Sequence, residues 1–221
     1  MKFSVAIDGP AGAGKSTIAK MLAKRFNLMY INTGSMYRAV TLKAIEQNIL
    51  PEDKDNLLKL VDNLDMVFIN DELFVNGKNV NAEISLPNIS NNVSNYAAIP
   101  ELRERLVYLQ RKMAEKYDVI MDGRDIGTVV LKDAPIKFYL TASPEERAKR
   151  RYEELRLKGL LIDYEDILRD IIKRDYIDSH RETNPLRKAD DAILIDSSNL
   201  SIMEVVDKMS DYIKLFKQNT K

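Results

Sequence analysis

The stretch VAIDGPAGAGKSTIAK, residues 5–20, restricts what this 221-residue chain can fold into more than any other segment. Val5 to Asp8 read as the end of a short apolar strand, Gly9-Pro10-Ala11-Gly12-Ala13-Gly14 as a tight turn, and Lys15 onward as a helix with Ile18, Met21, Leu22 and Phe26 on one face. Between strand and helix, the spacing Gly9-x4-Gly14-Lys15-Ser16 matches a phosphate-binding loop. Glycines take backbone angles that a side chain forbids, so successive N–H groups can turn inward around an anion. The helix start adds its positive dipole end. In such a loop residues Gly9 to Thr17 wrap the phosphates of ATP, with Lys15 along the β- and γ-phosphates and the Ser16 hydroxyl completing the coordination of a bridging Mg²⁺. The bland alternative is a Gly-rich turn that binds nothing, and the flanking strand and helix argue against it.

Composition narrows the chemistry. The 34 basic and 34 acidic side chains cancel, so nothing in the charge balance points to nucleic acid or a membrane surface as partner. With no cysteine, disulfides, thiolate nucleophiles and Cys-ligated zinc are excluded, and a single histidine, His180, argues against a His-based metal site or a Ser-His-Asp triad. The start, MKFSVAID, enters a strand without a basic region, long apolar run or cleavage site, and no later run reaches membrane length, so the expected location is cytoplasmic. No long apolar surface stripe is visible, and a monomer is expected. The length suits one core with a small inserted lobe.

Residues 28–31 read as a second strand and 35–47 as a helix with Met36, Ala39, Val40 and Ala44 on one side. From Asp65, MVFINDELFVNGKNVN alternates apolar and polar with turn residues at Asn70-Asp71 and Asn76-Gly77, which predicts a small antiparallel meander. Helices are predicted at 87–96 and 100–117, the second striped by Leu102, Leu106, Leu109 and Met113. The apolar runs at 119–123, 136–140 and 192–196 suit strands covered on both faces, and the last five residues, KQNTK, are expected to fray. The result is an α/β fold with a parallel sheet and an antiparallel insertion between its second and third strands, overhanging the carboxyl ends where such sheets bind ligands.

Four further stretches place charge near those ends. INTGSMYR (31–38) puts Arg38 one turn into a helix, and MDGRDIGT (121–128) clusters Asp122, Arg124 and Asp125 after a strand, so both arginines can converge on an anion beside the γ-phosphate. Asp122 is a candidate for orienting a water on Mg²⁺. SPEERAKRRYEELRLKG (143–159) opens with a capping box at Ser143 and Glu146 but shows little apolar face, which reads either as a solvated helix or as a flap whose arginines, Arg147 and Arg151 first among them, close on the triphosphate and bridge donor and acceptor. In RDYIDSHRETNPL (174–186), Arg174, Asp178 and Arg181 fall within roughly 60° of one another on a helix. They share a face with Ile167 and Ile171, a stripe turning from core to cavity. His180 lies off that face and reads as a surface residue.

In this order and over almost the whole chain, the phosphate loop, TGxxYR at 33–38, DGRDIGTVV at 122–130, SPEERAKRR, and RDxxDxxR with its following PL at 174–186 resemble bacterial cytidylate kinase. The resemblance implies a three-layer fold of the P-loop NTPase type in a single kinase domain spanning 1–221: a core of 1–35, 118–142 and 182–221, a monophosphate-binding lobe of about 36–105 that carries the antiparallel insert, and a mobile helical lid of about 143–165. It implies transfer from ATP, with Mg²⁺, to CMP or dCMP, with Thr33 beside the acceptor phosphate and Arg38, Arg124 and Arg181 on its oxygens. Arg174 and Asp178 fall at the ribose, and Ser94, Arg103 and Asp125 at the cytosine edge, where an amino donor and two acceptors need a carboxylate, a hydroxyl and an arginine. Asn32 stands where the resemblance leads one to expect Asp, which leaves that side chain's role open. Two other readings remain: a small-metabolite kinase of shikimate or gluconate type on the same loop, and a nucleotide-dependent switch protein.

Overall fold

The computed structural model describes residues 2–157, 159 and 161–219. In chain order its elements begin β1 (Ser4–Asp8), α1 (Lys15–Phe26), β2 (Met29–Asn32), α2 (Thr33–Glu46) and α3 (Lys54–Asp62). The meander β3 (Met66–Ile69), β4 (Glu72–Val75) and β5 (Lys78–Asn79) follows, then α4 (Pro87–Ala97) and α5 (Pro100–Lys116). The remainder is β6 (Val119–Gly123), a π-helical segment at Ile126–Val130, β7 (Ile136–Thr141), α6 (Pro144–Leu157), α7 (Tyr164–His180), β8 (Ile193–Asp196) and α8 (Ile202–Asn219).

Five strands form an all-parallel sheet in the order β2-β6-β1-β7-β8, and the meander forms a separate antiparallel sheet inserted between β2 and β6. Alternation decides which residue serves which layer. Val5, Ile7, Ile120 and Phe138 point into one core with Ile18 and Leu22 of α1 and Val206 and Met209 of α8. Ala6, Ile31, Val119 and Met121 point to the other, beneath Met36 and Val40 of α2 and Leu102 and Leu106 of α5. Strands buried on both faces cannot alternate with polar residues, which is why they stand out as unbroken apolar runs.

Local reasons set several boundaries. The Asn32 side chain accepts the Ser35 N–H, so α2 starts at Thr33, two residues before the periodicity alone suggests. Asp53 caps α3 by accepting the Asn56 N–H, in a stretch to which the sequence reading assigns no element. Of the two readings of 143–159, the solvated helix is set aside by packing: Ala148 and Leu155 of α6 pack on Ile167 and Ile171 of α7 in a third, small core. Half of its capping box forms, with Ser143 Oγ accepting the Glu146 N–H at 3.2 Å, while the Ser143 N–H donates to Ser198 Oγ instead. Lys217 to Asn219 are helical, and the rest of the tail expected to fray lies outside the described residues. Among the described residues no helix is long and apolar enough to cross a membrane.

Candidate active site

The phosphate loop is built by what glycine permits. A Cβ on Gly9 would lie 1.9 Å from the Leu140 carbonyl oxygen, so only a bare backbone lets β1 turn so close to β7. Gly14 holds φ 86°, the left-handed region, and stands at the N-cap of α1 without a side chain to occupy the first-turn N–H groups. Lys15 is buried beneath the loop, its Nζ donating to the Pro10 carbonyl at 2.7 Å. Burial, reinforced by the neighbouring Arg124 and opposed by Asp122, holds the Lys15 ammonium well below its ordinary range. An incoming anion would favour the charged form of this lysine.

Register brings the next group together. Parallel pairing sets Asn32 beside Asp122 and Asp8 beside Gly123. Asp122 accepts from Ser16 Oγ at 2.9 Å through Oδ2 and from Tyr30 Oη at 2.8 Å through Oδ1. A hydroxyl against a buried carboxylate is an all-oxygen set that fits a hard divalent cation. Among the described residues no cluster of three His, Cys, Asp or Glu exists to cage a metal, so such a cation would need phosphate oxygens as well. Asp8 accepts the Ile126 and Gly127 N–H groups, both at 2.7 Å, which pins the turn carrying Arg124 and Asp125. Burial pushes its carboxyl up to about 6 against the pull of those two N–H groups.

Beyond the loop lies a cleft of about 190 Å³ lined by Lys15, Arg38, Arg103, Arg124, Arg174 and Arg181 against the carboxylates of Asp122, Asp125 and Asp178, with Thr33 and Ser94 also on its wall. The charges sort into two ends. At one end, Arg103 is 1% exposed, with its Nη2 2.5 Å from Asp125, its Nη1 on the Ala97 carbonyl and its guanidinium 5.2 Å from the Tyr37 ring centre. Arg181 joins this end, 3.7 Å from Asp125, its Nε donating to the Asn184 carbonyl. At the other, Arg124 Nε donates to Asp178 at 2.7 Å. Burial alone would raise Asp178; Arg124 and then Arg174 outweigh it and hold the carboxyl below its usual value.

Arg38 and Arg174 share that second end and make no ion pair among the described residues. Each has an Nε shut from solvent without a hydrogen-bond partner, and Arg38 donates through Nη2 to the Ser35 hydroxyl at 3.3 Å. Burial and the repulsion of Arg124 lower Arg174 to about 10, and burial lowers Arg38 as well. Buried cations without a counter-ion favour an anion beside them. Arg174 stands near Arg38, Arg124 and Asp178, and Arg181 spans the two ends, 3.7 Å from Asp125 and 4.0 Å from Asp178.

The flap residues behave differently from one another. Arg147 is 3% exposed, and its donors are taken by the Ala142 carbonyl, the Ala11 carbonyl at 3.0 Å and Asp175 at 2.6 Å. Arg147 thereby straps α6 and α7 to the phosphate loop. Arg151 pairs with Glu154 and borders, with Arg150, an open groove along residues 12–18 and 197–205. Sequence reasoning missed Tyr30, Tyr37 and Asp8. A buried tyrosine or aspartate at a strand end looks like core or turn until register shows its partner.

The arrangement is therefore two anion stations end to end, one a phosphate loop and the other a group of arginines, with a carboxylate–arginine pair deeper in the cleft. The sequence profile of the family described as "Cytidylate kinase" matches residues 5–215. The chain is 68% identical over 212 residues to a protein named cytidylate kinase from Clostridium perfringens, covering 96% of this chain and 98% of that one. It is 66% identical over 213 residues to one of the same name from Clostridium acetobutylicum, with the same coverage of 96% and 98%. A solved gluconokinase from Sinorhizobium meliloti 1021 shares the fold alone, at a TM-score of 0.50 and 12% identity over 100% of this chain and 97% of that one. Profile, relatives and the paired anion stations agree that the chain belongs to the cytidylate kinase family.

Proposed function

We propose that the protein transfers the γ-phosphoryl group of ATP to CMP, and to dCMP, giving ADP and CDP or dCDP. The observation that carries this reading is the cluster of guanidinium groups, Arg38, Arg124, Arg174 and Arg181, that shares one cleft with Lys15 of the phosphate loop. A hydrolase or switch has no use for a second anion station. A kinase acting on a phosphate acceptor needs one, because its two substrates repel each other.

In this reading the N–H groups of Gly9 to Thr17 and the Lys15 ammonium hold the donor phosphates, and Arg151 borders the groove on the donor side. Arg38, Arg124 and Arg181 take the acceptor phosphate next to Thr33, and Arg174 and Asp178 face the ribose. Arg103, Asp125 and Ser94 lie at the base, where the Asp125 carboxylate accepts the cytosine amino group and Arg103 and Ser94 donate to N3 and O2. Mg²⁺, held by Ser16 with Asp122 behind it, would neutralise charge on the donor phosphates. The acceptor oxygen is already anionic, so no side chain need act as general base. Catalysis is then positioning and charge cancellation by fixed groups.

ADP release followed with ATP fixed and a panel of acceptors varied tests the reading. CMP is expected to be the best acceptor, with ADP and nucleoside diphosphate formed one for one. Preferred transfer to gluconate or shikimate, or ADP formed at the same rate without any acceptor, would overturn it.

A further inference from the structure

The reaction as derived leaves Asn32 unused, yet every polar atom of that side chain is engaged. Its Oδ1 accepts the Ser35 N–H at 2.8 Å. Its Nδ2 donates to Ser16 Oγ at 3.0 Å and to Tyr30 Oη at 2.9 Å, one amide hydrogen for each. Those two hydroxyls donate in turn to the two oxygens of Asp122. Only Oδ1 can meet the Ser35 N–H, so the amide has one orientation, and that orientation sets the direction of every proton around the ring. Ser16 therefore gives its hydrogen to Asp122, receives one from Asn32, and cannot rotate without breaking two bonds. One lone pair of its oxygen stays free.

We propose that Asn32 is a positioning residue for phosphoryl transfer. It fixes the Ser16 hydroxyl and the Asp122 carboxylate as an oriented oxygen pair on the donor side, and it ties that pair to the first turn of α2, which carries Thr33 and Arg38 to the acceptor. The proposal rests on the reading of Ser16 as the hydroxyl that meets phosphate-bound Mg²⁺. Asparagine is suited to both tasks at once. Aspartate in its place would still cap α2, but it has no hydrogens to donate and would set a second carboxylate beside Asp122. Alanine would lose the cap and the donors together. Because the wild-type group holds one carboxylate, the cation arrives with the nucleotide rather than before it.

The test compares wild type with Asn32→Ala and Asn32→Asp. Calorimetry measures ADP binding with Mg²⁺ and with EDTA, and melting temperature is followed as MgCl₂ is added to nucleotide-free protein. In Asn32→Ala the Mg²⁺-dependent gain in ADP affinity is expected to fall about tenfold, the size of effect that losing two hydrogen bonds produces, while binding in EDTA stays as in wild type. A capping role alone would not distinguish the two conditions. Asn32→Asp, which keeps the cap, is expected to melt lower than wild type in EDTA and to be stabilised by Mg²⁺ alone, to which wild type does not respond. An unchanged Mg²⁺ gain in Asn32→Ala, or an Asn32→Asp protein indifferent to Mg²⁺ without nucleotide, overturns the proposal. If wild type itself binds ADP no better with Mg²⁺, the reading of Ser16 fails and the proposal falls with it.

Discussion

Arg103 shows what one residue carries in this site. It is the largest fully buried side chain among those described, and its charge is tolerable there because Asp125 and the Tyr37 ring lie against it. Replacing Arg103 with Leu leaves the buried Asp125 with only the longer Arg181 contact at 3.7 Å, and unfolding free energy in urea is expected to drop by about 3 kcal/mol; a loss under 1 kcal/mol would mean that the pair is not structurally coupled. Arg124 differs in kind, because its partner Asp178 lies at the cleft wall and its guanidinium faces the acceptor station. For Arg124→Ala, turnover with CMP is expected to fall by about 10²–10³, as on removing a fixed donor to developing charge, with ATP affinity in equilibrium binding largely kept. Residues of this sort were legible in the sequence because arginines and aspartates directly after apolar strands have few other places to point. Tyr30 and Asp8 were not, since hydrogen-bond partners 92 and 118 residues away leave no local trace.

Elements explain why those residues stay where they are. The turn after β6 that bears Arg124 and Asp125 is held by Asp8 at the end of β1, and the protonation of Asp8 consequently bears on stability. Its pKa rises from 3.8 to about 6 on folding, so between those values the folded chain binds the proton more tightly than the unfolded one. This carboxyl's contribution is complete below 3.8 and is lost as pH climbs through about 6, a change of about 3 kcal/mol at 1.36 kcal/mol per unit. In Asp8→Asn that downward slope should flatten in urea titrations run across this window, and an unaltered slope would count against the assignment. The α6–α7 pair hangs on a separate small core, so Leu155→Ala is expected to speed amide exchange in those two helices while the central strands keep their protection. Sequence periodicity revealed only the α7 half of that core, Ile167 and Ile171, because two apolar residues on an α6 so rich in arginine and glutamate leave too faint a stripe. It did reveal every strand of the main sheet within a residue, because burial on both faces excludes polar residues from them.

At the scale of the whole molecule, the parallel sheet brings loops from four distant parts of the chain to one edge, and charge accumulates there although the chain as a whole is neutral. Six cationic side chains against three carboxylates line one cleft, a local excess that folding alone would disfavour and that a bound anion would relieve. The overall pattern was legible from motif order; the ion pairs that α7 makes with the loop after β6, Arg124 with Asp178 and Arg181 with Asp125, were not, because they depend on how distant segments meet. Calorimetric titration of CMP and of cytidine into the ligand-free protein tests the central claim that this excess exists to hold the acceptor phosphate. Three arginines at about 1.5–3 kcal/mol per charge-assisted hydrogen bond make the phosphate the main source of affinity. Cytidine is therefore expected to bind at least about 100-fold more weakly than CMP. Equal affinity for cytidine and CMP would contradict the account.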